Sequence, residues 1–110
     1  MAALPPGAVV INTARGGTMD FDALMAAMKS GHVAAAGLDV MPVEPPVDPV
    51  HPLLHDYRTR APWLLGRLIV TPHSAYWTPD ADWDIRIKSA ETMARALTND
   101  PQNVILPEDD

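Results

Sequence analysis

Ala8-Val9-Val10-Ile11-Asn12 is an unbroken, mostly β-branched apolar run with no polar residue at alternate positions. Half-exposed strands alternate apolar and polar side chains, whereas strands of parallel sheets are covered on both faces and read as continuous apolar runs. The run therefore predicts a strand buried on both faces of a parallel sheet. Leu4-Pro5-Pro6-Gly7 ahead of it reads as a turn. Arg15-Gly16-Gly17 breaks it, because glycine permits positive φ and a sharp change of direction.

Parallel strands need a long crossover, most often a helix. Phe21, Leu24, Met25 and Met28 fall at i, i+3, i+4 and i+7, which predicts a helix from about Asp20 to Ser30. Asp20 can cap its start, and Gly31 suits the residue just past its end. Val33 to Val40 reads as a second buried strand, rich in alanine. Residues 41–66 form a long irregular stretch carrying Pro42, Pro45, Pro46, Pro49, Pro52 and Pro62. Stretches of that kind are usually functional or disordered. Arg67-Leu68-Ile69-Val70-Thr71 is a third strand, stopped by Pro72. Trp83, Ile87, Ala90, Ala94 and Leu97 share one face of an amphipathic helix over residues 81–98, capped by Thr78 or Asp80. The order is strand, helix, strand, loop, strand, helix, which defines an α/β chain with right-handed crossovers. At 110 residues it has room for one domain. No internal repeat or second domain is legible, and the first strand expects a neighbour these residues do not supply.

Composition narrows the function. The net charge of −6, from 14 acidic and 8 basic residues, argues against nucleic acid or an anionic membrane as partner. No cysteine is present, which excludes disulfides, thiolate metal sites and a Cys nucleophile. No apolar run is long enough to span a bilayer, and the first residues lack the pattern of a secretory peptide. A soluble, cytoplasmic protein is the expectation.

In open α/β sheets, ligands bind beyond the carboxyl ends of the strands. Thr13-Ala14-Arg15 follows the first strand, Asp39 and then Glu44 follow the second, and His73 follows the third. Parallel strands bring these groups to one edge. Arg15 can grip a carboxylate with two parallel hydrogen bonds, which lysine cannot do. His73 is suited to proton transfer near neutrality, and a neighbouring carboxylate such as Glu44 favours its charged form. His51 and His55 have helical i, i+4 spacing, but Pro52 and the loop setting argue against a metal site. Trp63, Trp77 and Trp83 are expected in the core or at interfaces. The acidic end, Glu108-Asp109-Asp110, is expected to be solvated.

The motifs are more specific than the placement. Pro6-Gly7-Ala8-Val9-Val10-Ile11-Asn12-Thr13-Ala14-Arg15-Gly16-Gly17 resembles the segment that holds the catalytic Arg in the D-isomer-specific 2-hydroxyacid dehydrogenases. Gly31 to Val40 resembles that family's next strand. Met41-Pro42-Val43-Glu44-Pro45-Pro46 is similar to its element with the catalytic Glu, and Thr71-Pro72-His73-Ser74-Ala75 to its TPHxA element with the catalytic His. Arg15 and Glu44 stand 29 residues apart, as do Glu44 and His73, and both gaps fit the family pattern. The resemblance runs from about residue 4 to 105.

It implies a partial Rossmann-like fold, the second half of a doubly wound parallel sheet. Residues 1–110 would then be the C-terminal portion of an NAD-binding domain. Arg15 would bind the substrate carboxylate, His73 would be the acid/base, and Glu44 would hold and charge it. Asp39 would contact the nicotinamide carboxamide. The backbone around Thr13, Ala14, Ser74 and Ala75 would line the nicotinamide side of the cleft. The implied cofactor is NAD or NADP, the implied substrate a small 2-keto or 2-hydroxy acid. The implied assembly is a homo-oligomer or a pairing with a complementing chain. The family's G-x-G-x-x-G loop, its ribose-reading acid and its substrate domain have no counterpart here. A fragment is therefore expected, with weak NAD binding and negligible turnover on its own. The rival expectation is a non-catalytic fragment or dehydrogenase-like interaction module that pairs through an open sheet edge.

Overall fold

A computed structural model describes residues 1–101, which fall into two compact units, residues 1–75 and residues 76 onward. The acidic end lies outside the described residues. In the first unit, β1 (Ala8–Asn12), β2 (Val33–Leu38) and β3 (Leu68–Val70) form a parallel sheet in the order β1-β2-β3. β1 leads to β2 through α1 (Phe21–Lys29), and β2 leads to β3 through α2 (Pro52–Arg58). Both crossovers step the same way along the sheet and share one hand, so both helices fall on the same face. Phe21, Leu24 and Met28 of α1 and Leu53 and Leu54 of α2 meet Ala36, Leu38 and Leu68 in one core.

The α/β class and parallel sheet are as the sequence predicts. Asp20 caps α1, its side chain accepting the Ala23 N–H at 2.9 Å. The expectation that β1 is buried on both faces is corrected. Val9, Ile11 and Ile69 are each more than 60 % exposed, and they line one face across the sheet, with Gly37 in register between Ile11 and Ile69. The continuous apolar run reports a strand built for two covered faces, of which residues 1–75 cover one.

The stretch 41–66 is also more ordered than predicted. His51 starts α2 as its cap, accepting the Leu53 N–H on Nδ1 at 3.1 Å, and Pro52 occupies the first helical turn. Proline is favoured there, since its missing N–H would be unpaired anyway. A short 3-10 turn, Pro62–Leu64, then leads into β3. Arg67 is the tie between these elements. Its Nε donates to Ala34 O (2.8 Å), its Nη1 to Trp63 O (3.2 Å) and its Nη2 to Met28 O (2.7 Å) and Val33 O (2.8 Å). One guanidinium thus satisfies carbonyls at the end of α1, the start of β2 and the 3-10 turn.

The second unit holds α3 (Pro79–Leu97), capped by Thr78, whose hydroxyl accepts the Ala81 N–H at 3.1 Å. Its polar side is laced by i, i+4 pairs, Arg86 with Asp82 and Lys88 with Asp84. The predicted apolar stripe is present, but Trp83, Ile87 and Leu97 are exposed, as is Trp77. Trp63 is the tryptophan that packs on the core. Among the described residues, no helix is long and apolar enough to cross a membrane.

Candidate active site

The first strand ends in Asn12, which is 5 % exposed. Its side chain ties the next three residues into a turn: Oδ1 accepts the Ala14 N–H (3.0 Å), and Nδ2 donates to Arg15 O (3.0 Å). The Thr18 hydroxyl donates to the same carbonyl at 2.6 Å. The Arg15 backbone is thus fixed, while its guanidinium stays at the surface with one donor on Ala14 O (2.7 Å). Thr13 and Ala14 are exposed beside it.

The second strand runs through Leu38 into buried Asp39. The Asp39 carboxylate turns toward the segment after β3. Oδ1 accepts from the Thr71 hydroxyl and the Ser74 N–H (2.9 Å), and Oδ2 accepts from the Ala75 N–H (2.9 Å). The Thr71 hydroxyl first, then these amides and the charge of His73, hold the Asp39 pKa below its ordinary value against the opposing effect of burial. His73 sits inside the loop so formed, with φ +55. A non-glycine residue in the left-handed region stays there only when its surroundings hold it. The Asp39 bonds to residues on either side of His73 do so.

Glu44 completes the arrangement. Its Oε1 accepts the Met41 N–H at 2.7 Å, and its Oε2 lies 2.7 Å from His73 Nδ1. The Met41 amide first, then His73 and the nearby Arg15 charge, lower the Glu44 pKa, again against burial. An ionised carboxylate can only accept, so Nδ1 carries the proton and donates. The Glu44–Pro45 peptide is cis. A cleft of about 510 Å³ adjoins the pair, walled by Met41, Pro46, Leu54, Tyr57 and Val70.

Arg15, Asp39, Glu44 and His73 therefore lie at one edge of the sheet, as the sequence predicts. Ser74 and Ala75 lie there too, with their amides occupied by Asp39. Asn12, Gly16 and Thr71 also build the site and were not anticipated. The signal for Asn12 was an Asn at a strand end before a turn, where its side chain commonly bonds the backbone two residues on. In the His51–His55 pair, both ring nitrogens of His51 are engaged, Nε2 facing Asp22 at 3.2 Å and Nδ1 capping α2.

The family model for the D-isomer specific 2-hydroxyacid dehydrogenase NAD-binding domain matches residues 1–75. The chain belongs to this family of NAD-binding oxidoreductases. Among curated proteins it is 37% identical over 97 residues to a hydroxypyruvate reductase of Thermotoga maritima, covering 88% of this chain and 29% of that one. It is 42% identical over 94 residues to a D-3-phosphoglycerate dehydrogenase of Archaeoglobus fulgidus, covering 83% and 16%. Among solved structures, a D-isomer specific 2-hydroxyacid dehydrogenase of Xanthobacter autotrophicus Py2, in complex with NADPH and MES, aligns with TM-score 0.68 at 37% identity, covering 97% of this chain and 40% of that one. The chain thus spans less than a third of the length of these curated relatives.

Proposed function

We propose that this chain supplies the acid/base and anion-binding half of an enzyme that interconverts a small 2-keto acid and a D-2-hydroxy acid. The observation that carries the reading is the 2.7 Å contact of His73 with Glu44 at the strand edge that also bears Arg15. Arg15 grips the substrate carboxylate and so aims the C2 oxygen toward His73. His73 gives its Nε2 proton to that oxygen as the alkoxide develops, and takes it back in the reverse direction. Glu44 keeps Nδ1 protonated and the ring fixed. The nicotinamide of NAD or NADP, when bound, supplies the hydride at C2 or accepts it.

The residues fit the nicotinamide end of that cofactor. Thr13 and Ala14 are exposed beside Arg15, and Ser74 and Ala75 lie on the loop held by Asp39. Asp39 Oδ2 accepts one amide, which leaves it capacity to accept from a carboxamide. The open sheet face and the unpaired edge of β1 favour assembly with further polypeptide, either another copy or a complementing chain. The same face is what a purely interacting, non-catalytic role would use.

The test is a chimera in which these residues replace the matching 97-residue segment of the Thermotoga relative. It should reduce a 2-keto acid with NADH. His73→Ala should lower kcat roughly 10²–10⁴-fold, the usual contribution of a general acid. Arg15→Ala should chiefly raise KM. A folded chimera that binds NADH but reduces no 2-keto acid would sink the reading in favour of a binding role, and one that turns over equally well with Ala at position 73 would sink the part given to His73.

A further inference from the structure

We propose that Gly16 is a positioning residue: its lack of a side chain lets the Arg15 turn close onto Met41, and that contact seats the Glu44 carboxylate between Arg15 and His73. This inference rests on the assignment of those three residues as the working set.

Gly16 is buried, and its φ does not require glycine; the space around it does. A Cβ there would stand 1.9 Å from Met41 O, 2.4 Å from Met41 C and 2.9 Å from Pro42 N. All three are backbone atoms, so no side-chain rotation relieves the clash, and one of the two segments must move. The Arg15 side is the stiffer, tied by Asn12 and Thr18 to β1. The segment that yields is therefore 41–44. Met41 carries both ends of the link, since its carbonyl rests on Gly16 and its N–H is held by Glu44 Oε1. Displacing Met41 draws Glu44 off His73 and changes its separation from Arg15. Gly17, next in sequence, has nothing within 4 Å of its own absent Cβ. It serves as a matched control.

The charged groups facing Glu44 are His73 and Arg15, and the Met41 amide is the largest influence on its titration. The experiment follows the Glu44 carboxylate carbon by NMR against pH in this chain, as wild type, G16A and G17A, with the methyl signals of Leu24 and Leu53 reporting on the core. Wild type and G17A should titrate alike, below the ordinary glutamate value of 4.5. G16A should move the midpoint upward toward that value and abolish the pH-dependent shift of the Met41 amide, with the core signals unchanged. A G16A chain that titrates like wild type overturns the proposal. So does one that loses the core signals, because the contact would then hold the core and not the site. Neither result depends on cofactor or turnover, so the outcome stands apart from that of the chimera.

Discussion

Asp39 and Glu44 keep their charge by the same means: each carboxylate collects hydrogen bonds that exist only in the folded chain. Both folded pKa values lie below the ordinary 3.8 and 4.5. Their contribution to stability is therefore complete above those ordinary values and is lost as pH falls through the lowered ones. In urea titrations repeated across pH, the midpoint should be flat above about pH 5 and fall steadily below it. Asp39→Asn should remove its share of that slope while leaving Glu44's, and should speed hydrogen exchange of the Ser74 and Ala75 amides. An unchanged slope would mean that these bonds do not persist in solution. The placement of Arg15, Glu44 and His73 at one sheet edge was legible in the sequence, from the strand ends and, more specifically, from the motifs that follow them. Asn12 and Gly16 were not, because what they do is set by where the backbone of another segment passes. The Met41 carbonyl, which a Cβ on Gly16 would meet at 1.9 Å, belongs to a residue 25 positions further along the chain.

Among the elements, α1 was readable from periodicity and caps and β2 from its apolar run, and α2 was not. Two cues for α2 pointed the wrong way. Pro52 looked like a breaker but stands in the first turn, and His51 is an uncommon cap. The cap also fixes a tautomer: Nδ1 can accept from Leu53 only while unprotonated, so Nε2 carries the proton toward Asp22. Arg67 was read as the first residue of a strand, whereas its side chain joins three elements through four carbonyls. Arg67→Ala should cost on the order of 1–2 kcal/mol, because three part-buried acceptors lose a charged partner that water replaces only in part. Arg67→Lys should recover part of it, since an ammonium cannot span the same fork. Chemical denaturation of the two variants beside wild type checks both. Equal midpoints for Ala and wild type would mean that water satisfies those carbonyls.

At the scale of the molecule, the α/β class followed from the order of the elements, and the parallel sheet from the unbroken apolar runs. What those runs could not tell was how many faces residues 1–75 would cover. The answer, one, leaves Val9, Ile11 and Ile69 bare. The same incompleteness bears on the cofactor. A dinucleotide in this kind of fold is gripped largely at its pyrophosphate by a glycine-rich turn and a helix N-terminus, and no G-x-G-x-x-G occurs in these 110 residues. Calorimetric titration with NADH, with circular dichroism on the same sample, should therefore show a folded chain and no saturable binding at micromolar concentration. Tight binding would mean that self-association rebuilds the grip.

The long crossover between β2 and β3 has a consequence for how sequences of this kind can diverge. Glu44 and His73 are each fixed within a few residues of a strand end, by Met41 on one side and by Asp39 on the other. Everything between Pro46 and Gly66 hangs from those anchors, with α2 pinned to the core by Leu53 and Leu54. Closing a longer loop costs only about 0.6 kcal/mol for each doubling of its length. Residues can thus be inserted or deleted on the outer part of this crossover with little thermodynamic resistance and no change in the reach from carboxylate to imidazole. The wall of the cleft formed by Pro46 and Tyr57 is then free to drift in length and shape, while the Glu44–His73 pair it borders stays in place.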